Sequence, residues 1–238
     1  MAEIDFITSY DSRSPISEAY RSIRTNLQFS DIDHNLKLIV FTSAGPGEGK
    51  STTVENLAIV MGQDNKKTLL IDCDLRKPVV HRRFGLPNKG LTNCLAGNLD
   101  LHQVIQQSEF PNVDVVTAGP IPPNPAELLS SSRMMTLLNE VRDDYDYIFL
   151  DMPPVLIVTD AAIMANKADG VVMIVSSGDV SPEEAKDAKA LLVQAKANIL
   201  GVILNKIPYH HRRSNYYYYY YYDEDHHKKH KKHHHHHQ

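Results

Sequence analysis

The stretch that most constrains the fold is residues 43–52, which read Ser-Ala-Gly-Pro-Gly-Glu-Gly-Lys-Ser-Thr. It follows an apolar, β-branched run that ends at Phe41, and it precedes a helical pattern that continues through Val54 and Met61. A strand, a glycine-rich turn and a helix in this order are typical of a phosphate-binding site. We call residues 43–52 the phosphate loop and expect it to bind a nucleotide.

The residue types of the phosphate loop suit a polyphosphate. Glycines permit backbone angles at which successive N–H groups converge on one anion, and the following helix adds the positive end of its dipole. Lys50 supplies a charge for the β- and γ-phosphates, and Ser51 supplies a hydroxyl for Mg²⁺. Ala44 stands where the first glycine of such loops is usual. The expected nucleotide-binding residues are Gly45, Pro46, Gly47, Glu48, Gly49, Lys50, Ser51 and Thr52.

Acidic residues follow two further predicted strands. Asp72 and Asp74 come after the apolar run 68–71, and Asp151 follows the run 147–150. Side chains at the carboxyl ends of parallel strands meet at one edge of the sheet, where several carboxylates beside a triphosphate require a cation. We therefore expect Mg²⁺ to be held by Ser51, Asp74 and Asp151. A strand-end turn whose aspartates cap the next helix is the alternative for Asp72 and Asp74.

The alternation of apolar runs and helical patterns predicts an α/β fold with a mostly parallel sheet flanked by helices. Further strands are expected at 113–117, 170–175 and 199–206, and one continuous helical pattern runs from Pro125 to Val141. Asp160 is expected to cap a helix, and it could also act in the outer shell of the metal site. Asn205 ends the last strand, where its amide could bind an adenine edge or serve only as a turn residue.

An amphipathic helix is predicted over residues 14–29, with Ser14 as its cap and Pro15 in its first turn. Glu18, Arg21 and Arg24 follow one another at three-residue steps on one face. This charged face could be solvated, or it could contact another subunit. The sequence pattern alone is compatible with both interpretations.

Composition agrees with one α/β domain plus a tail, since the chain has 238 residues, of which 42% are hydrophobic. The formal net charge of −4 favours neither nucleic acid nor an anionic membrane as a partner. Two cysteines provide no disulfide framework, which favours a reducing cytoplasm. Because no apolar run is long enough to cross a bilayer, we expect any recruitment to the membrane to depend on a partner.

The composition changes at about residue 208, which predicts a domain over 1–207 and a flexible, disordered tail over 208–238. The tail is rich in tyrosine and histidine, and its closing histidines could bind metal or be a purification tag. A phenol can accept a phosphoryl group, and the tail leaves from the expected active edge of the sheet. The candidate acceptors are consecutive: Tyr216, Tyr217, Tyr218, Tyr219, Tyr220, Tyr221 and Tyr222.

Taken together, these motifs resemble those of the bacterial tyrosine kinases (BY-kinases) of capsule and exopolysaccharide synthesis, in the stand-alone form of Gram-positive bacteria. The resemblance covers essentially residues 16–222. It is carried by Glu-x-x-Arg-x-x-Arg at 18–24, Pro-Gly-Glu-Gly-Lys-Ser at 46–51, Leu-Ile-Asp-Cys-Asp-Leu-Arg at 70–76, Pro-Pro-Asn-Pro at 122–125, Ile-Phe-Leu-Asp-Met-Pro-Pro at 148–154, and the tyrosine cluster.

This resemblance implies a P-loop NTPase-like fold and an ATP- and Mg²⁺-dependent kinase that phosphorylates its own tyrosine cluster, between subunits. It implies that Lys50, Asp72, Asp74 and Asp151 are catalytic, with Asp72 as the candidate acceptor of the phenol proton. It also implies that Glu18, Arg21 and Arg24 make contacts in a homo-oligomeric ring, an octamer. The implied partners are a transmembrane polysaccharide co-polymerase as activator and an opposing phosphotyrosine phosphatase.

Two other functions are compatible with parts of the pattern. A partition-type ATPase of the MinD/ParA kind would use nucleotide as a dimerisation switch, without phosphorylating tyrosine. Such proteins often carry a lysine near the start of the phosphate loop, where this chain has Ser43, Ala44 and Gly45. A non-catalytic scaffold would keep the fold and use the tail only for binding.

Overall fold

A computed structural model describes residues 6–31, 36–97 and 99–208. Within these residues seven strands form one sheet in the order β3-β4-β2-β5-β1-β6-β7. All neighbouring pairs are parallel except β3 with β4. The strands are β1 (Leu38–Ser43), β2 (Thr68–Asp72), β3 (Gln106–Gln107), β4 (Val113–Val116), β5 (Tyr147–Asp151), β6 (Gly170–Ser176) and β7 (Ile199–Asn205).

Helices connect the parallel strands and cover both faces of the sheet. A short 3₁₀ helix also spans Leu101–Gln103. The α-helices are α1 (Ile7–Tyr10), α2 (Pro15–Phe29), α3 (Lys50–Gln63), α4 (Val80–Arg83), α5 (Leu91–Ala96), α6 (Pro125–Ser130), α7 (Ser132–Val141), α8 (Asp160–Ala165) and α9 (Pro182–Gln194). The predicted α/β fold with a mostly parallel sheet is confirmed.

The central strands are buried on both faces, as expected for a parallel sheet between helices. All six residues of β1 are buried. Leu38 and Val40 pack into one apolar cluster, whereas Ile39 and Phe41 pack into the other. The alternation of side chains along a strand thus divides the core into two layers around the sheet.

The N-terminal helices lie against α3, the helix that follows the phosphate loop. Ser14 caps α2 by accepting from the amide of Ile16 at 3.2 Å, as predicted. Thr8 of α1 donates its hydroxyl to the Asn56 side chain at 2.9 Å. Because α1 and α2 cover it, α3 is buried on nearly all sides and is held firmly against the sheet.

Two local features differ from the sequence-based expectation. The continuous helix expected from Pro125 to Val141 is wrong, because Ser131 adopts an extended conformation and separates α6 from α7. Its hydroxyl accepts from the amide of Met134 at 3.3 Å and so caps the second helix. The antiparallel strand β3 was not predicted, since two glutamines carry no strand periodicity.

The described residues up to Asn205 belong to one compact unit, and residues 206–208 lie outside it. After Asn205 the structure describes only residues 206–208. The tyrosine cluster at 216–222 and nearly all of the predicted tail therefore lie outside the described residues, and the predicted domain boundary at 207 stays a prediction. Across the described ranges, no helix combines the length and the apolar character that a membrane crossing requires.

Candidate active site

The phosphate loop connects β1 to α3 at the carboxyl edge of the sheet. Gly47 and Gly49 have φ angles of +78° and +81°, a region that favours glycine. Gly49 is the residue before α3, and no side chain caps this helix. The first amides of α3 therefore remain available to a bound anion, as the helix dipole favours.

Lys50 and Asp151 form a buried ion pair at the foot of the loop. The Lys50 Nζ lies 2.5 Å from Asp151 Oδ1 and 3.4 Å from the Ser51 hydroxyl. Burial disfavours the charged ammonium, but the attraction and hydrogen bond of Asp151 together with the charges of Asp74 and Asp72 outweigh this effect, so the pKa of Lys50 is raised. Lys50 is thus a fixed positive charge at the point where the loop would receive phosphates.

Asp72 and Asp151 lie directly opposite each other on the neighbouring strands β2 and β5. Asp72 is fully buried, and its two oxygens accept from the amides of Asp74 at 3.2 Å, Val79 at 3.2 Å and Val80 at 3.1 Å. Burial and then repulsion by Asp151 raise the pKa of Asp72 to about 7. Asp72 therefore organises the turn after β2 and can change its protonation state near neutral pH.

Asp74 and Asp151 are the carboxylates that fit a cation. Asp151 Oδ2 is buried and has no hydrogen-bond partner within the described structure. A buried, unpartnered carboxylate oxygen is costly, and a divalent cation would satisfy it. Asp74 uses Oδ1 to accept from the amide of Lys77 at 3.0 Å, and its charge acts on Lys50.

Among the described residues there is no group of three or more His, Cys, Asp or Glu side chains that would hold a metal by themselves. This finding is compatible with Mg²⁺, which is usually bound through one or two carboxylates together with substrate phosphates. The hydroxyl of Ser51 and the carboxylates of Asp74 and Asp151 are suitable ligand types. The residues present therefore fit Mg²⁺ bound with a nucleotide.

An ion pair that the sequence did not reveal joins the turn after β2 to α8. Arg76 donates through Nε and Nη2 to the two oxygens of Asp160, each at 3.0 Å. Asp160 is fully buried and is the first residue of α8, so the expectation that it caps the helix is wrong. Thr159 occupies the cap position. The pair fixes the loop that carries Asp74 relative to the segment after β5.

Glu48 and Asn205 were expected to contact the nucleotide. In the structure Glu48 is buried and binds backbone amides, including that of Gly45 at 2.5 Å. The side-chain amide of Asn205 donates to the main-chain carbonyl of Glu48 at 2.9 Å. Both residues thus lie at the phosphate loop, and a direct contact of either with nucleotide stays a prediction.

The charged face of α2 makes contacts within the chain. Arg21 lies 2.5 Å from Glu18 and also donates to the carbonyl of Ser12. Arg24 donates to the carbonyl of Val60 in α3 at 3.1 Å. These bonds orient the arginines, and their predicted role in a subunit interface is not tested by the single chain.

Comparison with known proteins decides the family. A family model described as an AAA domain matches residues 36–196. Tyrosine-protein kinase YwqD of Bacillus subtilis is 50% identical over 200 residues, which are 84% of each chain. The chain belongs to the bacterial tyrosine kinases. The resemblance recognised from the motifs is thereby confirmed, and this chain is a protein-tyrosine kinase.

Solved structures agree with this assignment. The kinase domain of Escherichia coli tyrosine kinase ETK superimposes on this kinase with a TM-score of 0.82 at 36% identity, covering 85% of this chain and 80% of that domain. The septum site-determining protein MinD of Pyrococcus horikoshii, solved with Mg-ADP, has a TM-score of 0.60 at 23% identity, covering 71% of this chain and 70% of MinD. The second likeness shows only that the kinase has a P-loop NTPase-like fold.

Proposed function

We propose that this kinase transfers the γ-phosphoryl group of ATP to tyrosines 216–222 of a neighbouring subunit, and so regulates capsule or exopolysaccharide synthesis. The observation that carries the proposal is the grouping of Lys50, Asp72 and Asp151 directly beneath the phosphate loop. The sequence supplies seven phenols as acceptors in the same chain. A nucleotide switch without tyrosine transfer would not need such a cluster.

The proposed mechanism rests mainly on positioning and charge. Loop amides and Lys50 would hold the β- and γ-phosphates and stabilise the charge that spreads over the transferred group. Ser51, Asp74 and Asp151 would hold Mg²⁺, which when bound neutralises phosphate charge. Because Lys50 is paired with Asp151, nucleotide binding would require Lys50 to turn at least partly toward phosphate.

Asp72 is the proposed acceptor of the phenol proton. A phenol has a pKa near 10, and in the metal-free site burial and repulsion by Asp151 raise the pKa of Asp72 to about 7, closer to that of the phenol than the pKa of an ordinary aspartate is. The hydrogen bonds from the amides of Val79 and Val80 would hold the carboxylate in place. In a loose transition state little proton removal is needed early, so Asp72 would act late in the transfer.

The proposed assembly is a homo-oligomeric ring, an octamer, in which Glu18, Arg21 and Arg24 contact the next subunit. A transmembrane polysaccharide co-polymerase would activate the kinase and recruit it to the inner face of the membrane. A phosphotyrosine phosphatase would reverse the reaction. These proposals rest on family membership and on the charged face of α2, whose three side chains are half-buried within the single chain.

The test is phosphotransfer by the purified full chain with Mg-ATP, alone and with the cytosolic segment of its host's co-polymerase. We expect anti-phosphotyrosine signal for the wild type, and loss of at least about a hundredfold for Lys50→Met, since transition-state charge would be uncompensated. The control is Lys189→Met in α9, which removes an exposed lysine far along the chain from the loop.

A second variant in which residues 216–222 are all phenylalanine distinguishes the acceptors. It should keep nucleotide binding and lose the signal. Signal that persists in this variant would assign the acceptors elsewhere, and a wild type without signal in both conditions would refute the proposed reaction.

A further inference from the structure

Glu48 is an unexpected residue in a phosphate-binding loop, because its carboxylate is buried beside the place where anions would bind. Only 2% of the residue is exposed. Its Oε1 accepts from the amide of Gly45 at 2.5 Å, and its Oε2 accepts from the amide of Ser176 at 2.9 Å. The first donor belongs to the phosphate loop, and the second is the last residue of β6.

The chemistry of these contacts requires a carboxylate. A buried charge is costly unless hydrogen bonds compensate it, and here each oxygen receives one N–H group. An ionised carboxylate only accepts, so it can serve two backbone donors at once. A glutamine at position 48 would direct its own NH₂ group at one of them. The side chain of Glu48 thus links the start of the loop to the end of a strand.

Asn205 holds the same loop from the next strand. Its side-chain amide donates to the carbonyl of Glu48 at 2.9 Å, and its own carbonyl accepts from the amide of Ser177 at 2.8 Å. A Cβ atom on Gly49 would lie 2.3 Å from Asn205 Nδ2. The end of β7 therefore packs closely against the turn that leads into α3.

We propose that Glu48 and Asn205 are positioning residues that brace the phosphate loop against the carboxyl ends of β6 and β7. In this proposal neither side chain contacts the nucleotide, contrary to the expectation from the sequence that both would. They hold the loop in the shape in which its remaining amides converge on phosphate, while the amide of Gly45 is already used by Glu48. The proposal rests on the nucleotide-binding role proposed above, and it extends that role to residues outside the phosphate contacts.

To test this positioning role, calorimetry measures the affinity of wild type, Glu48→Gln and Asn205→Ala for Mg-ADP, Mg-GDP and Mg-pyrophosphate. Losing one charge-assisted hydrogen bond should weaken Mg-ADP binding to Glu48→Gln by about tenfold or more. For both variants the weakening should be the same factor for all three ligands, because each binds through its phosphates. Glu183→Gln, an exposed change in α9, should bind within about twofold of wild type.

Two further readouts separate positioning from a general loss of structure. The thermal midpoint without ligand should stay within a few degrees of wild type, and KM for ATP should rise with little change in kcat, because ground state and transition state use the same loop. Unchanged Mg-ADP affinity in Glu48→Gln would overturn the proposal, as would a loss explained wholly by unfolding. If Asn205→Ala lost affinity for Mg-ADP alone, and not for Mg-GDP or Mg-pyrophosphate, Asn205 would instead be a residue that contacts the adenine. If the wild type itself failed to bind Mg-ADP, the result would refute the proposed function rather than the positioning role of Glu48 and Asn205.

Discussion

Asp72 and Asp151 place two carboxylates opposite each other in a buried part of the sheet, with Lys50 paired to only one of them. Burial, and after it the repulsion by Asp151, makes the second negative charge unfavourable without nucleotide, and the pKa of Asp72 rises to about 7. The site therefore stores electrostatic repulsion that a cation or a proton relieves. This property has a measurable consequence for stability.

The metal-free kinase should lose stability as the pH rises from 5.5 to 8. Below pH 7 the native state keeps a proton on Asp72 that the unfolded chain has already released. Because the native state binds more protons, the free energy of unfolding should fall by about 2 kcal/mol between pH 5.5 and 8. In Asp72→Asn this part of the pH dependence should disappear. Urea unfolding in EDTA at several pH values measures it, and an equal slope in both proteins would contradict the assignment.

Site residues that directly follow a predicted strand could be identified from the sequence, because parallel strands bring their carboxyl ends together at one edge of the sheet. This rule led to Asp72 and Asp151. The partners of Glu48 and Arg76 were not identifiable, since Ser176 and Asp160 lie 128 and 84 residues away in the chain. An acidic residue in the middle of a phosphate loop was the one signal in the sequence, and its meaning required the fold.

At the scale of elements, α3 is the helix on which the site depends, because it begins at Lys50 and is buried along its length. Near its end Gly62 faces the start of β4. A Cβ atom there would lie 2.3 Å from the carbonyl oxygen of Pro111 and 2.8 Å from Val113. Helix propensity alone would favour alanine over glycine at position 62, but this close packing leaves no space for the alanine side chain.

Packing should decide the outcome at Gly62. We expect Gly62→Ala to lower the free energy of unfolding by about 1–3 kcal/mol, as overpacking does. The matched control is Gly201→Ala in β7, where a Cβ atom would meet nothing within 4 Å. That change should be within about 1 kcal/mol of wild type. Denaturant unfolding compares the two, and a stabilised Gly62→Ala protein would show that α3 is less tightly packed than described.

Element boundaries were predictable where hydrophobic patterning was strong. The expected strands at 68–71, 147–150 and 170–175 each end within one residue of the observed strand. The break at Ser131 was missed because the apolar pattern continues across it. Three consecutive serines at 130–132 were the local signal, since serine competes with helical hydrogen bonding and favours caps.

At the scale of the whole molecule, the proposed ring would be sensitive to its own product. Each phosphate adds about −1.5 to −2 charges to the tail. Several of them at neighbouring subunit edges would repel one another. After incubation with Mg-ATP, native mass spectrometry should therefore show the octamer converted to smaller species, while Lys50→Met keeps its mass. An unchanged mass of a fully phosphorylated wild type would refute this mode of disassembly.

The most direct test of the account asks whether one subunit phosphorylates the tail of another. A Lys50→Met chain with an intact tail is mixed with a chain that keeps Lys50 but carries phenylalanine at 216–222, with Mg-ATP and the activating segment. Mass spectrometry then examines the tail peptide of the Lys50→Met chain. The account predicts phosphate on its tyrosines. A tail that stays unmodified, under conditions in which wild type phosphorylates itself, would contradict transfer between subunits.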